Sequence, residues 1–247
     1  MCRMIAAVGR FPPGRLVEAL RLMARNANPA YDHELRREGD GLLHDCGWGV
    51  AYLAQGGLAR RRSTRPCFED ERLDSVAGVR TGLMLLHARR TKDRSTIAEV
   101  NTHPFLARFH EREWAFCHNG EVRETPQLSH APALVPVGAI DSELLFLHVL
   151  TRLDPGDEAG SLVAILGTVT DFTSLNCFLL SSRSLTAFPL KEPATARPRY
   201  YTLWHGRAPG LDVVSSEIVD GLGVEWRALP DGGAIRLVAP GSGPSRG

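Results

Sequence analysis

Cys2, directly behind Met1, is the residue of this sequence with the most chemistry open to it. Removal of the methionine from so small a neighbour leaves a thiol and a free α-amine on one residue. An α-amine has an unperturbed pKa of about 7.7 to 8.0, so a sizeable fraction is neutral at pH 7 and able to take the thiol proton. By spacing alone, Cys2 also reads as the opening residue of a strand. Asn119-Gly120 follows an apolar run and is first a turn signal. The same pair can make an oxyanion hole, with the Asn amide and the Gly N–H as donors and the glycine allowing a reacting carbonyl to come close. Arg89 stands at the end of an apolar run, where a guanidinium must be paired, and a bidentate grip on a carboxylate suits it best. Asp141 fits two readings, the N-cap of a helix and the partner of an ammonium group.

Other chemistries are excluded by inspection. There is no G-x-x-x-x-G-K and no H-E-x-x-H; His33-Glu34 and His110-Glu111 each lack the second histidine, and the G-x-S-x-G of Gly243 to Gly247 falls in the Gly-, Ser- and Pro-rich end of the chain rather than after an apolar run. The Gly-Gly pairs at 56 to 57 and 232 to 233 have no helix start behind them and read as turns. Five cysteines, an odd number with no C-x-x-C pair, argue against a disulfide framework and a zinc site. Cys117 and Cys177, inside apolar runs, read as small buried hydrophobes.

These residues need a scaffold, and the 247-residue chain is long enough to bury a core without staples. With 43% hydrophobic and 23% charged residues it is an ordinary globular composition, which excludes disorder and fibrous repeats. Lys+Arg 29 against Asp+Glu 28 gives +1, so no general nucleic-acid surface is implied. Apolar runs such as Leu83 to Leu86 fall far short of the roughly 18 to 20 residues of a membrane span. The start of the chain lacks the pattern of a signal peptide, which points to the cytoplasm.

Met4 to Val8 reads as a buried strand, and Leu16 to Ala24 as a helix closed by Asn26 to Pro29. Trp48 to Leu53 and Leu58 to Arg62 read as a hairpin turning at Gln55-Gly56-Gly57, and Asp70 to Val76 as a short helix. Leu83 to Ala88 and Trp114 to His118 are expected as buried strands, with a long polar connection through Thr91 to Pro104 of the kind that is commonly functional. A helix is expected over Ser142 to Leu153 with Asp141 as its N-cap, and another near Glu158 to Val169. Strands are expected at Asn176 to Ser181, Leu185 to Phe188, Tyr200 to His205, Val213 to Ser216 and Ala234 to Val238. Helices grouped between two sets of strands predict an α+β or four-layer arrangement. One domain is expected over residues 2–239, with a disordered tail over 240–247.

Taken together, several segments resemble class II glutamine amidotransferase domains, which are N-terminal-nucleophile hydrolases. They are Met-Cys-Arg at the start, Asp45-Cys46-Gly47-Trp48-Gly49-Val50, His87-Ala88-Arg89, Glu99-Val100-Asn101-Thr102-His103-Pro104-Phe105, Phe116-Cys117-His118-Asn119-Gly120-Glu121 and Asp141-Ser142-Glu143. Val213-Val214-Ser215-Ser216-Glu217 is similar to a late strand of the stand-alone members. The resemblance implies an αββα sandwich with Cys2 opening a central strand. It implies a Cys2 thiolate attacking a γ-amide carbon with the α-amine as proton carrier, and an oxyanion held by Asn119 and Gly120. Arg89 would then hold the substrate α-carboxylate, Asp141 its α-ammonium, and His103 would be a pocket-wall or loop-ordering residue. No metal or organic cofactor is implied.

The chain departs from the family after Arg89. Arg90-Thr91-Lys92-Asp93-Arg94 stands where the family has an uncharged residue, a small residue and a Thr, which concentrates positive charge beside the expected pocket. Three function classes follow. The leading one is a glutaminase acting on glutamine as a small-molecule substrate, with a separate synthase subunit as the partner that would use the ammonia, since no synthase domain follows Gly247. The alternative is hydrolysis of a larger γ-glutamyl amide, such as a γ-glutamyl thiol-pathway intermediate. A non-catalytic ligand sensor ranks last, because every expected catalytic position is filled.

Overall fold

A computed structural model describes residues 2–37, 42–138 and 140–239. The chain begins with strand β1 (Arg3–Gly9), which is buried at every position. Helix α1 (Pro13–Ala24) follows, opened by Pro13 at its first turn, where the missing N–H costs nothing. It buries Leu16, Val17, Leu20, Met23 and Ala24 and ends where Asn26 takes a positive φ of 56°. The one-turn α2 (Glu34–Arg37) precedes the hairpin of β2 (Trp48–Ala54) and β3 (Gly57–Ser63). Next come the one-turn α3 (Asp74–Ala77), β4 (Leu83–Ala88), β5 (Phe105–Phe109) and β6 (Arg112–Asn119). Helices α4 (Asp141–Arg152) and α5 (Glu158–Leu166) lead to β7 (Asn176–Leu180) and β8 (Ser184–Phe188). The one-turn α6 (Pro198–Tyr201) and strands β9 (Trp204–Ala208), β10 (Leu211–Ser215), β11 (Glu225–Ala228) and β12 (Ile235–Val238) complete the described chain.

Among the described residues the strands form two antiparallel sheets, one ordered β11-β9-β10-β1-β4-β2-β3 and the other β12-β8-β7-β6-β5. Alternation along each strand sorts the apolar side chains into three layers of core. Ile5 and Ala7 of β1, with Met84, Leu86 and Ala88 of β4, pack under α1. Trp114 and Phe116 of β6 pack under α4 and α5. Met4, Ala6, Val8, Leu83, Leu85, Ala115, Cys117 and Phe178 fill the space between the sheets. This is the four-layer αββα sandwich that the resemblance implies. Among the described residues no helix is long and apolar enough to cross a membrane.

Several elements differ from the sequence expectation. Strand β5 was not expected; it joins β6 through His110 and Glu111, whose φ values of 52° and 59° make the two-residue turn that usually calls for Asn-Gly. Strand β11 was not expected either, and its largely exposed Glu225–Ala228 carries little apolar signal. The strand expected over Tyr200 to His205 begins instead at Trp204. Tyr200 and Tyr201 belong to α6, because Pro198 opens a turn whose Arg199 and Tyr200 N–H groups donate to the Glu34 carboxylate at 2.9 and 3.0 Å. Asp141 is the first residue of α4 rather than its N-cap, a position held by Ile140. Helix α5 ends at Leu166 because Gly167 caps it, short of the expected Val169. The tail expected over 240–247 lies outside the described residues.

Candidate active site

The period of two that builds the inner core also aims the site. Cys2 continues the inward series Met4, Ala6 and Val8; Asn119 continues Ala115 and Cys117 on the facing sheet. The two meet across the sandwich, where the Cys2 main-chain nitrogen donates to Asn119 Oδ1 at 2.6 Å. The Asn119 side chain is fully buried, and its Nδ2 has no acceptor. An unpaired buried amide costs roughly 1 to 3 kcal/mol, so this donor has hydrogen-bonding capacity to spare beside Cys2. Gly120 follows, and a Cβ there would lie 1.8 Å from the Ser174 carbonyl oxygen, so no other residue fits.

Arg89 leaves the end of β4 between two main-chain bonds, its N–H to Gly47 O at 2.8 Å and its carbonyl accepting from Cys46 N at 3.0 Å. The Asp45 to Val50 segment is therefore the brace of the arginine. Gly47 (φ +121°) lies against Ser63 O, and Gly49 lies against His103 O, where a Cβ would come within 2.1 Å. The Arg89 side chain is 4% exposed; Nη2 donates to Thr96 Oγ1 at 2.9 Å, while Nη1 is buried without a partner. Asp141 receives the Val122 N–H on Oδ2 at 2.7 Å, and among the described residues its Oδ1 has a 3.4 Å approach from Ser142 Oγ.

These groups open onto one cavity of about 420 Å3 whose walls include Cys2, Arg89, Gly120, Asp141 and His103. The rim carries Arg90, Lys92, Asp93, Glu121 and Arg197, while Arg94 turns away to pair with Asp45 at 3.2 Å. Thus Cys2, Arg89, Asp141, Gly120 and His103 share one cavity, with Asn119 in hydrogen-bond contact behind Cys2. His103 precedes a cis peptide bond to Pro104, and its ring lies tilted by 31° against that of His87 with centroids 4.3 Å apart. Among the described residues no group of three His, Cys, Asp or Glu side chains is placed to hold a metal ion.

The five thiols are not alike. Burial raises the pKa of Cys46, Cys67, Cys117 and Cys177, Cys67 to about 12, which leaves them inert. Burial also pushes the Cys2 thiol up, but the charge of His87 and of the chain's amino terminus outweighs it and brings the thiol down to about 5. His118 is held below its usual range by burial, opposed by the Asp141 charge. Its Nε2–H donates to Ser174 O and its Nδ1 accepts from Ser142 Oγ, both at 2.9 Å, which fixes one neutral tautomer.

Sequence reasoning gave no role to His87, His118, Thr96 or Ser142. The alternation Leu83, Leu85, His87 would have pointed His87 inward toward Cys2. It also missed the clamp behind the nucleophile. Arg3, fully buried, donates to Tyr200 O and to His33 Nε2, each at 3.0 Å, and stacks over the Tyr200 ring. Its Nε lies 3.0 Å from Glu217 Oε1, and Asn28 Nδ2 donates to Glu217 Oε2 at 2.8 Å. Ser216 brackets Met4, donating N–H to its carbonyl and accepting its N–H on Oγ. Glu217→Gln is expected to leave a buried guanidinium without its counter-charge and to destabilise the fold by about 3 to 5 kcal/mol, read as a lower urea midpoint at unchanged slope. A change within about 0.5 kcal/mol would show that the pair does not anchor β1.

The chain is similar to known proteins along most of its length. The γ-glutamyl-hercynylcysteine sulfoxide hydrolase of Mycobacterium tuberculosis is 27% identical over 209 residues, 83% of this chain and 81% of that protein. The protein of the same name from Mycolicibacterium smegmatis is 30% identical over 154 residues, 62% of this chain and 64% of that one. The chain spans under half the length of two other curated relatives, 42% of MJ1515 from Methanocaldococcus jannaschii and 49% of Escherichia coli YafJ, at 25% and 29% identity and over 59% and 49% of this chain. Among solved structures, a predicted glutamine amidotransferase from Pseudomonas aeruginosa shares the fold at a TM-score of 0.60 and 16% identity, covering 96% of this chain and 97% of that one. Residues 26–176, which carry Arg89, Asn119, Gly120 and Asp141, match the family model of class II glutamine amidotransferases, and the chain belongs to that family.

Proposed function

We propose that the protein hydrolyses the amide of a γ-glutamyl compound with Cys2 as nucleophile. One observation carries the reading: of two buried donors without acceptors, Arg89 Nη1 belongs to a residue that shares one cavity with Cys2, and Asn119 Nδ2 belongs to the residue hydrogen-bonded to Cys2. Arg89 receives the α-carboxylate and Asp141 Oδ1 the α-ammonium, which presents the γ-carbonyl to Cys2. Asn119 Nδ2 and the Gly120 N–H receive the oxyanion, and a γ-glutamyl thioester forms as the C–N bond breaks and is then opened by water. Met1, outside the described residues, is removed, so that the Cys2 nitrogen becomes an α-amine that keeps Asn119 Oδ1 as acceptor. The cytoplasm is the proposed compartment. Ammonia and glutamate release from glutamine and a panel of γ-glutamyl amides tests the reading; release from none of them overturns it.

The rim favours a second reading, in which the amide nitrogen carries a larger group bearing an anion. Arg90, Lys92 and Arg197 line the mouth while Arg89 is deeper, and the relative that shares most of the chain's length is named for a larger γ-glutamyl substrate. A separate synthase subunit belongs to the first reading, and is needed only if free ammonia is the useful product. Lys92→Ala that leaves glutamine turnover unchanged and weakens an anionic γ-glutamyl amide selects the second reading; equal losses on both select neither.

Head-group binding gives a further expectation. Arg89→Lys should raise KM about 10- to 100-fold with kcat nearly kept, because an ammonium cannot replace the planar fork between Thr96 and the carboxylate. Asp141→Asn keeps an oxygen for the Val122 N–H but removes the charge, and should also act on KM. Steady-state kinetics showing loss in kcat alone would place these residues in the chemistry rather than in recognition.

A further inference from the structure

The alternation that aims Cys2 inward also sends charge into one open edge of the sandwich. Strand β3 closes the seven-stranded sheet there, and β5 closes the five-stranded one. Leu58 of β3 and Leu106 of β5 belong to the layer between the sheets, so Arg60 and Arg62, at alternate positions after Leu58, face the same slot. They line a cavity of about 280 Å3 whose apolar wall is Phe105, Leu134, Phe146 and Leu147. This cavity shares no lining residue with that of Cys2. The segment between the two contributes His103 to the Cys2 cavity, while the carbonyls on either side of it, of Thr102 and Pro104, accept from Arg62 and Arg60.

The two guanidiniums are half-buried, and their hydrogen bonds go to neutral main-chain oxygens. Arg60 Nη1 donates to Pro104 O at 3.4 Å, and Arg62 Nη1 to Thr102 O at 3.0 Å and Val100 O at 3.4 Å. Among the described residues neither meets a carboxylate at ion-pair distance. Burial holds both below the ordinary guanidinium range, Arg62 at about 10, against the more distant pull of Glu99 and Glu143. Glu143 lines the cavity too, but its oxygens are already occupied, receiving the Val137 N–H at 3.0 Å and the Gly138 N–H at 2.6 Å. Arg108 of β5 adds a third, exposed guanidinium to the wall, so positive charge is in excess.

The mouth is apolar. Val135 and Val137, the two most exposed large aliphatic side chains among the described residues at 74% and 76%, stand at this cavity. Aliphatic groups left in water around a concave, cation-lined space are the mark of a binding site. We propose that this cavity is a second ligand site, distinct from that of Cys2, for a small amphipathic anion: a carboxylate or phosphate held by Arg60 and Arg62, with a body the size of one aromatic ring against Phe105, Leu134 and the two valines. An anion there supplies the charge that half-burial takes from the guanidiniums, and the ring covers the exposed aliphatics. The volume suits such a molecule better than a strand or helix of a partner protein. The site stands whether or not Cys2 hydrolyses an amide.

The test is titration of the full chain with phenyl phosphate and with phenylacetate, followed by 1H–15N spectra, with inorganic phosphate and benzyl alcohol as the separate halves of the ligand. At least one aryl anion should saturate with a Kd of about 1 mM or tighter, and each half alone should bind at least about tenfold more weakly. Whichever aryl anion binds more tightly identifies the head group. Arg60→Gln with Arg62→Gln should weaken binding at least about tenfold, while Arg89→Gln, in the other cavity, should leave it unchanged. Because the double variant can fail to fold, Val135→Asp, at an exposed position, places a negative charge at the mouth and should weaken binding by a similar factor. Undiminished binding in Val135→Asp, loss in Arg89→Gln alone, inorganic phosphate binding as tightly as the aryl anions, or no saturation by either aryl anion at about 10 mM overturns the proposal.

Discussion

Cys2→Ala is expected to abolish amide hydrolysis, with kcat lower by about 10^4-fold or more, because no other thiol can take over the attack. Cys46, Cys67, Cys117 and Cys177 are buried and burial raises each of them, whereas Cys2 is the one brought down and opened to the cavity. The oxyanion donors and Arg89 do not depend on the sulfur. Substrate should therefore still bind, and calorimetry with the variant should give a Kd close to that of the wild type. Cys2 opens the strand rather than filling the inter-sheet core, so thermal stability should change little. Turnover surviving the substitution would remove Cys2 from the mechanism, and loss of binding together with turnover would show that the variant is misfolded.

Asn119→Ala should lower kcat by about 10^2- to 10^3-fold and leave KM within a few fold. Two effects add. The variant loses Nδ2, a buried donor without a partner in the structure and the proposed oxyanion donor, and it loses Oδ1, which accepts from the Cys2 nitrogen. Asn119→Asp separates them, since it keeps an acceptor for the nitrogen but replaces the donor by an oxygen that repels the oxyanion. Asp should therefore be no better than Ala in kcat. Recovery of kcat in Asn119→Asp would mean that holding the α-amine, rather than the oxyanion, is the residue's work.

The sequence made some of this legible through local pattern alone. The run Met4 to Val8, the helical spacing from Leu16 to Ala24 and the Gln55-Gly56-Gly57 turn each fold as their pattern dictates, because propensity and burial agree there. Strand β5 was hidden because its turn uses His110-Glu111 in a conformation that side chains dislike, held by the ladder of β5 with β6. The strand expected at Tyr200 gave way to a helical turn because Glu34, far away in sequence, supplies acceptors for its N–H groups. Asp141 looked like a cap because it precedes an apolar periodicity, but Val122 N takes its carboxylate instead. The site residues were visible as types in motifs, whereas their partners were not. Arg3 of β1 meets Glu217, just past β10, only because the sheet order makes those strands neighbours, which no local spacing records.

Cys2 is the proposed nucleophile toward a γ-glutamyl carbon. The most direct measurement is trapping with 6-diazo-5-oxo-norleucine, a glutamine-like electrophile, followed by intact mass and peptide mapping of the modified chain. The expected product is a chain lacking Met1 with one adduct, on the sulfur of Cys2, and Cys46, Cys67, Cys117 and Cys177 unmodified. An adduct on any other residue, or an active preparation that fully retains Met1, would contradict it.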